Sequence, residues 1–217
     1  MRGLFEKDLR LTIQKKQTIV VFVVVALILG ISGSGTFAVV YFTLLAGIMA
    51  SGTLSYDEFD NGLEFLMTLP IDRKTYVREK FLFSTAASAA AWCISLVLFL
   101  VSEIARGGKV EVLEKLPVLF IVLPTMATFA TIILPLQLKF GTEKGRVFLY
   151  VLFGGLALLF ATVKNLFLPS SEGAMTVINN LQGMPMWSVM IVIIAFCVLV
   201  EFISYICSVR IMQNKEL

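Results

Sequence analysis

The sequence contains no histidine, and it is also poor in charge and in cysteine. Without histidine there is no basis for a histidine-dependent catalytic triad, a histidine-ligated metal site or a histidine proton shuttle. The three cysteines lie singly in separate apolar stretches, at Cys93, Cys197 and Cys207. This spacing argues against a disulfide framework and against a zinc site.

The low charge content decides the broad class of protein. Only 15% of the 217 residues are charged, and 58% are hydrophobic. A soluble domain has about 25% charged and 45–50% apolar residues. The apolar excess is too large for a soluble core, so the composition predicts an integral membrane protein.

Two further absences narrow the function. The sequence has no Gly-x-x-x-x-Gly-Lys-Ser/Thr phosphate loop, and its nearest fragments, Gly108-Lys109-Val110 and Lys144-Gly145-Arg146, lack the hydroxyl residue and the glycine spacing. We therefore predict that the chain does not hydrolyse ATP, is not an enzyme by itself and binds no metal or cofactor. The net charge of +3 is small and its basic residues are scattered, which argues against nucleic-acid binding.

The hydrophobic runs predict an all-α, polytopic fold with six transmembrane helices. A spanning helix needs about 20 apolar residues. Four runs meet this length with little argument: 81–101, 117–138, 147–163 and 186–209. The stretch 18–54 is interrupted by Ser32-Gly33-Ser34-Gly35-Thr36 and predicts two spans, 18–32 and 36–54. Because the first of these is short, a re-entrant hairpin stays open as an alternative.

The basic residues predict the orientation, because Lys and Arg accumulate on the cytoplasmic side of membrane proteins. Five lie before the first span, four follow the second, three follow the fourth and two lie in the tail, which makes 14 of 18 on one side. We therefore expect a multi-pass protein of the plasma membrane with both termini in the cytoplasm.

The first 17 residues have the pattern of a helix that lies in the cytoplasmic membrane interface. Phe5, Leu9 and Ile13 recur at helical spacing, and five basic residues surround them. The alternative is a positively charged leader that only sets the topology.

The loop 55–80 is the most informative segment outside the predicted spans. Its first half is acidic, its apolar residues Phe59, Leu63 and Leu66 recur at helical spacing, Pro70 ends that helix and Asp72 is placed to cap the next one. Acidic residues and exposed apolar side chains near an anionic leaflet suggest a partner surface. Two interpretations stay open, a docking helix for a soluble subunit and an interfacial helix that packs on its own bundle.

The motif YDEFDNGLEFLMTLPIDRKTYVREK, over residues 56–80, resembles the cytoplasmic loop of the ABC-2-type transporter permeases. The N-terminal LFEKDLRL and the layout of the spans resemble the same family, in particular the small permease subunits of bacterial peptide exporters, including phenol-soluble modulin exporters. In that family the loop forms a coupling helix that inserts into a cleft of the ATPase subunit. The resemblance implies ATPase-docking residues at Tyr56, Asp57, Glu58, Phe59, Leu63, Glu64, Leu66, Leu69, Pro70, Arg73 and Lys80.

The same resemblance implies partners and a layout. The chain would be a single permease domain over 1–217, paired with a second copy or a paralogue and with two copies of a cytoplasmic ABC ATPase, which would bind the ATP and Mg²⁺. The segment 164–185 would form short helices that re-enter the outer leaflet. The resemblance further implies a bacterial cell membrane, membrane lipid contacts and export of amphipathic peptides or other hydrophobic or antimicrobial compounds.

Four polar residues inside the predicted spans are candidates for a translocation pathway. Glu201 lies about 13 Å into the layer from the cytoplasmic end, and an intramembrane carboxylate usually faces a bundle interior, a partner or water. Thr125, Thr128 and Thr131 follow one another at a spacing of three residues. Helix packing is the alternative for all four.

Other classes of protein stay open at this point. A stand-alone secondary transporter or channel without an ATPase would be expected to carry ion-coupling residues in several spans, yet Glu201 is the only deep acid. A membrane enzyme acting on lipid is the least favoured, because the sequence has no histidine and no clustered carboxylates apart from the loop 55–80.

Overall fold

In the computed structural model of the chain, the residues described are 2–32, 35–59, 62–105, 109–142, 144–145, 147 and 186–215. Within these ranges the backbone is almost entirely helical and contains no strand, which confirms the all-α prediction. The helices in chain order are α1 (Arg2–Gln14), α2 (Lys16–Ile31), α3 (Gly35–Ser51), α4 (Leu54–Glu58), α5 (Gly62–Thr68), α6 (Arg73–Ala105), α7 (Lys109–Phe140) and α8 (Met186–Asn214).

Among the described residues, four helical segments are long and apolar enough to cross a membrane: Gly35–Glu58, Arg73–Ile104, Lys115–Phe140 and Trp187–Asn214. A fifth is reached only if α1 and α2, which are bent by 69° relative to each other, are counted as one span. With 16 residues, α2 is about 24 Å long and by itself falls short of the roughly 30 Å hydrocarbon layer. The predicted count of six is therefore not confirmed.

Two of the predicted segments lie wholly or almost wholly outside the residues that the structure describes. Apart from residue 147, the predicted span 147–163 lies outside the described residues, and so does the segment 164–185.

Several helix ends lie where the sequence predicts them. α2 ends at Ile31 and α3 begins at Gly35, so the helix is interrupted within the predicted Gly/Ser stretch. α5 ends at Thr68, two residues before Pro70, and α6 begins directly after Asp72. The helix α1 lies within the predicted interfacial segment 1–17 and turns sharply before α2.

The loop 55–80 differs from its prediction in one respect. The sequence predicts a single helix with an acidic beginning, whereas the structure has two short helices, α4 and α5, separated by residues 59–61. The intervening Asp60-Asn61-Gly62 is a turn-forming sequence. Asp57 and Glu58 consequently end the extension of α3 instead of beginning the next helix.

Small residues bring α3, α6 and α7 together. A Cβ atom added at Gly47 of α3 would lie 2.7 Å from the Ala130 Cβ of α7 and closer still to the Ser88 hydroxyl of α6. One turn further along α3, the buried Ser51 hydroxyl lies 2.9 Å from the Ala130 carbonyl and 3.0 Å from the Ser84 hydroxyl. The small residues of the third predicted span therefore serve close helix packing.

The helix ends next to the loop 55–80 share one apolar core. Tyr76, Val77 and Phe81 of α6 occupy its centre, and residues of four other helices surround them. Those neighbours are Leu54, Leu63, Leu134, Leu138 and Met212, all buried. This core fixes the short helices α4 and α5 against the spans α6, α7 and α8.

Candidate functional site

A cluster of four charges, three buried and one half-buried, lies where α1, the end of α3–α4 and the beginning of α6 meet. Its members are Lys7, Asp8, Asp57 and Lys80, which we call the ion cluster. The contacting pair Asp8 and Lys80 is 72 residues apart in sequence, so only the tertiary fold brings these charges together. Two ammonium groups face two carboxylates, which makes the ion cluster electrically balanced.

Lys80 lies at the centre of the ion cluster and is almost fully buried. Its Nζ atom contacts Asp8 Oδ2, lies 2.7 Å from Asp57 Oδ2 and lies 3.2 Å from Thr53 Oγ1. An ammonium group has three donors, and these three acceptors account for all of them. Lys80 therefore ties α6 to α1 and to the turn between α3 and α4.

Asp57 accepts from three different side chains. Besides Lys80, it contacts Lys7 and accepts a hydrogen bond of 2.8 Å from the buried Tyr76 hydroxyl. Burial alone lowers the pKa of Lys7, but its hydrogen bond to Asp57 and the charges of Asp57 and Asp8 outweigh that effect and raise the pKa above its usual value. Lys7 therefore stays charged at neutral pH.

A third carboxyl group, that of Glu79, lies beside the ion cluster. Glu79 is buried, and within the described part of the chain neither of its carboxyl oxygens makes a hydrogen bond. Glu79 directly precedes Lys80 on α6, so it faces a different side of the helix. Glu79 therefore places a third carboxyl group beside the ion cluster without forming an ion pair with it.

A second set of contacts ties the loop to α7 and α8. Glu58 Oε2 accepts a hydrogen bond of 2.7 Å from the Thr142 backbone N–H, and Glu58 Oε1 lies 3.4 Å from Lys215 Nζ. Arg73 Nη1 lies 2.7–3.1 Å from the carbonyl oxygens of Met212, Gln213 and Lys215. The last carbonyls of a helix lack intrahelical hydrogen-bond partners. Arg73 therefore supplies a hydrogen-bond donor to the carbonyls at the end of α8.

The predicted docking residues consequently fall into three groups by burial. Asp57, Leu63 and Lys80 are buried in contacts within this chain. Glu58, Leu66 and Arg73 are half-buried. Tyr56, Phe59, Glu64, Leu69 and Pro70 are exposed. The structure thus separates residues that hold the loop in place from residues that the loop presents outward.

The outward residues include two large aromatic rings. Phe59 is 72% exposed and Phe65 is 67% exposed, and Tyr56 and Leu69 are exposed as well. We call these four the loop apolar residues. The sequence prediction includes Leu66 and omits Phe65, yet Leu66 packs on the core and Phe65 faces outward. Because α4 ends at Glu58 and α5 begins at Gly62, the helical spacing counted from Phe59 does not continue into α5.

Sequence reasoning also leaves out Lys7, Asp8, Thr53 and Tyr76 as site residues. One of these residues carries a signal that is readable without a structure, because Asp8 interrupts the apolar stripe of α1. The structure shows why: Asp8 is fully buried between Lys7, Thr53 and Lys80.

The predicted pathway residues lie on α7, which carries the three threonines, and on α8, which carries Glu201. The hydroxyls of Thr125, Thr128 and Thr131 donate to carbonyls of their own helix at Ile121, Pro124 and Thr128. Glu201 is half-buried on α8 and lines a cavity with residues of α6 and α7. Of these four residues, the three threonines are bonded within their own helix, and Glu201 is the one whose side chain lines the cavity.

Comparison with known proteins identifies the family. The chain matches the sequence profile described as "ABC-2 family transporter protein" over residues 3–213. Neither the comparison with curated proteins nor the comparison with solved structures gives a match. Permeases of this family are membrane transport components, generally not catalytic themselves, and they generally pair with an ABC ATPase subunit. The chain belongs to the ABC-2 family of transporter proteins.

Proposed function

We propose that the chain is the permease subunit of an ATP-driven exporter of the bacterial cell membrane, docked through its loop 55–80 onto a cytoplasmic ABC ATPase. The observation that carries this proposal is the contrast within the loop. Its apolar residues Phe59 and Phe65 are largely exposed, while its base is held by the ion cluster. Exposed apolar side chains outside the hydrocarbon layer are typical of an interaction site.

The anchoring contacts explain how a push on the loop would reach the membrane. The loop base is bonded to Lys80 of α6 through Asp57, and α6 continues without a break for 33 residues, about 50 Å. A displacement of the loop by a closing ATPase pair is therefore carried by α6 as one rigid element. The contacts of Glu58 and Arg73 bring α7 and α8 into the same movement.

The proposal includes a second permease, an identical copy or a paralogue, and two ATPase copies that bind ATP and Mg²⁺. The four candidate spans among the described residues are too few to enclose a pathway, and α8 is the least covered of them, with 11% of its apolar window buried. Apolar helices of this kind suit an amphipathic cargo, for which we propose peptides or other hydrophobic compounds. Export is proposed because the sequence offers no external dock for a binding protein.

The test is recovery of an ATPase with the permease in mild detergent from its native host. We expect Phe59→Ala together with Phe65→Ala to reduce recovery at least tenfold. Phe37→Ala is the matched control, since Phe37 is 60% exposed at the opposite end of α3. No ATPase with the unchanged chain would reject the docking proposal in favour of a stand-alone transporter. Equal recovery with the double variant would show that the loop apolar residues are not the docking surface.

A further inference from the structure

A cavity of about 420 Å³ surrounds Glu201 between α6, α7 and α8. Its walls are mostly apolar or small, with Leu82, Ala86 and Ala89 on one side and Leu123 and Ala127 on another. Among the described residues that line it, Glu201 is the only charged one. The cavity therefore combines one acid with walls that favour alkyl groups.

Two hydroxyl groups, one in the cavity wall and one beside Glu201, have partners within their own helices. The Thr85 hydroxyl donates to the Phe81 carbonyl at 2.9 Å. Thr128 is the hydrogen-bonding neighbour of Glu201, but its hydroxyl also lies 2.7 Å from the Pro124 carbonyl. A hydroxyl has a single proton to donate, so Thr128 cannot donate to both acceptors at once. Glu201 is therefore left with capacity to accept hydrogen bonds.

The cavity is open toward the lipid side of the bundle. Leu82 and Val198 line it and are half exposed or more, at positions inside predicted spans. A charged carboxylate near the centre of a bilayer costs about 2.5–3.5 kcal/mol on insertion scales. A cation that reaches the cavity from the membrane would offset this cost, provided that its carrier is apolar enough to enter.

From this combination we propose that the cavity binds an ammonium group of the cargo, such as a lysine side chain or the amino terminus of an amphipathic peptide. The ammonium pairs with Glu201 and donates a hydrogen bond to it, while the methylene stem packs on the apolar walls. The inference rests on the proposed export function and adds the chemical class of the cargo, a cationic amphipathic peptide. Anionic and neutral amphiphiles are excluded from the pairing with Glu201.

The test is a binding measurement on the purified full chain in an uncharged detergent. The probe is a fluorescent amphipathic helical peptide of leucine and lysine, and its matched control has every amino group acetylated. We expect the lysine peptide to bind at least tenfold more tightly than the acetylated peptide. Glu201→Gln should abolish this difference and Glu201→Asp should retain it, because the aspartate keeps the charge.

Glu103→Gln is the control for a carboxylate that already has a cation, since Glu103 lies 3.7 Å from Lys115. The preference for the lysine peptide should survive in this variant. Equal affinity for both peptides, or a preference that survives Glu201→Gln, would overturn the inference. So would displacement of the peptide by phosphatidylethanolamine at lower concentration, which would assign the cavity to a lipid amine. The assay contains no ATPase, so its failure leaves the co-purification result untouched.

Discussion

Lys80 of α6 contacts Asp8 of α1 across 72 residues of sequence, and both side chains are almost completely buried. The same ammonium lies 2.7 Å from Asp57 at the base of the proposed docking loop. One lysine therefore joins the N-terminal helix, the loop and a membrane span. Such a buried pair is weak evidence for added stability, but its disruption is costly because it leaves uncompensated charge.

We predict that Lys80→Met destabilises the chain by about 3–5 kcal/mol, because Lys7 is then the one cation left for the two carboxylates Asp8 and Asp57 in the ion cluster. Thermal or denaturant unfolding in detergent measures the effect. Lys74→Met is the matched control, since Lys74 is an exposed lysine on the same helix. Equal unfolding midpoints for the two variants would mean that the ion cluster is not a stabilising contact of the folded state.

The hydrogen bond from Tyr76 to Asp57 gives a second, milder prediction. Tyr76→Phe keeps the ring in the buried core but leaves a carboxylate with one donor fewer, which should cost about 1.5–3 kcal/mol. Tyr56→Phe makes the same chemical change at an exposed position of the same loop, and it should change the free energy of unfolding by less than about 0.5 kcal/mol. A Tyr76→Phe variant as stable as the Tyr56→Phe variant would contradict the assigned bond.

Gly47 tests the close approach of α3 to α6 and α7. Gly47→Ala should lower stability by about 1–3 kcal/mol, because the new Cβ would lie 2.7 Å from the Ala130 Cβ on the neighbouring helix. At Gly30 of α2 an added Cβ would meet nothing within 4 Å, so Gly30→Ala should be neutral or stabilising. Unfolding of the two variants side by side checks the packing, and a tolerated Gly47→Ala would refute it.

Arg73 tests the link between the loop and the end of α8. Arg73→Met removes a charged donor from three terminal carbonyls, a loss of about 1.5–3 kcal/mol that should increase local opening roughly tenfold to a hundredfold. Faster amide exchange over the last turn of α8 is the expected readout, with exchange in α3 unchanged. Lys74→Met, one position further along, should leave the exchange of α8 as it is.

The sequence alone determines those features that depend on local composition. The apolar runs, the Gly/Ser break after Ile31, the end of α5 before Pro70 and the start of α6 after Asp72 are all readable from short windows. Bilayer thickness, backbone conformational freedom and the missing N–H of proline act over a few residues. The resemblance of the loop 55–80 to the ABC-2 permeases also depends on a contiguous motif, and the family match over residues 3–213 agrees with it.

Only the tertiary structure decided which residues of that motif face inward. Asp57 reads as a docking residue from the sequence, yet it is buried against Lys7, Tyr76 and Lys80. The helical spacing predicts Leu66 as a docking residue, yet Leu66 packs on the core and the Phe65 side chain is the exposed one. Charges 50–72 residues apart pair only when α1, α4 and α6 pack together, and α4 and α5 are separate helices, so the helical pattern of one does not continue into the other. Periodicity cannot carry information from one helix to the next across such an interruption, whereas burial and charge pairing depend on the whole bundle.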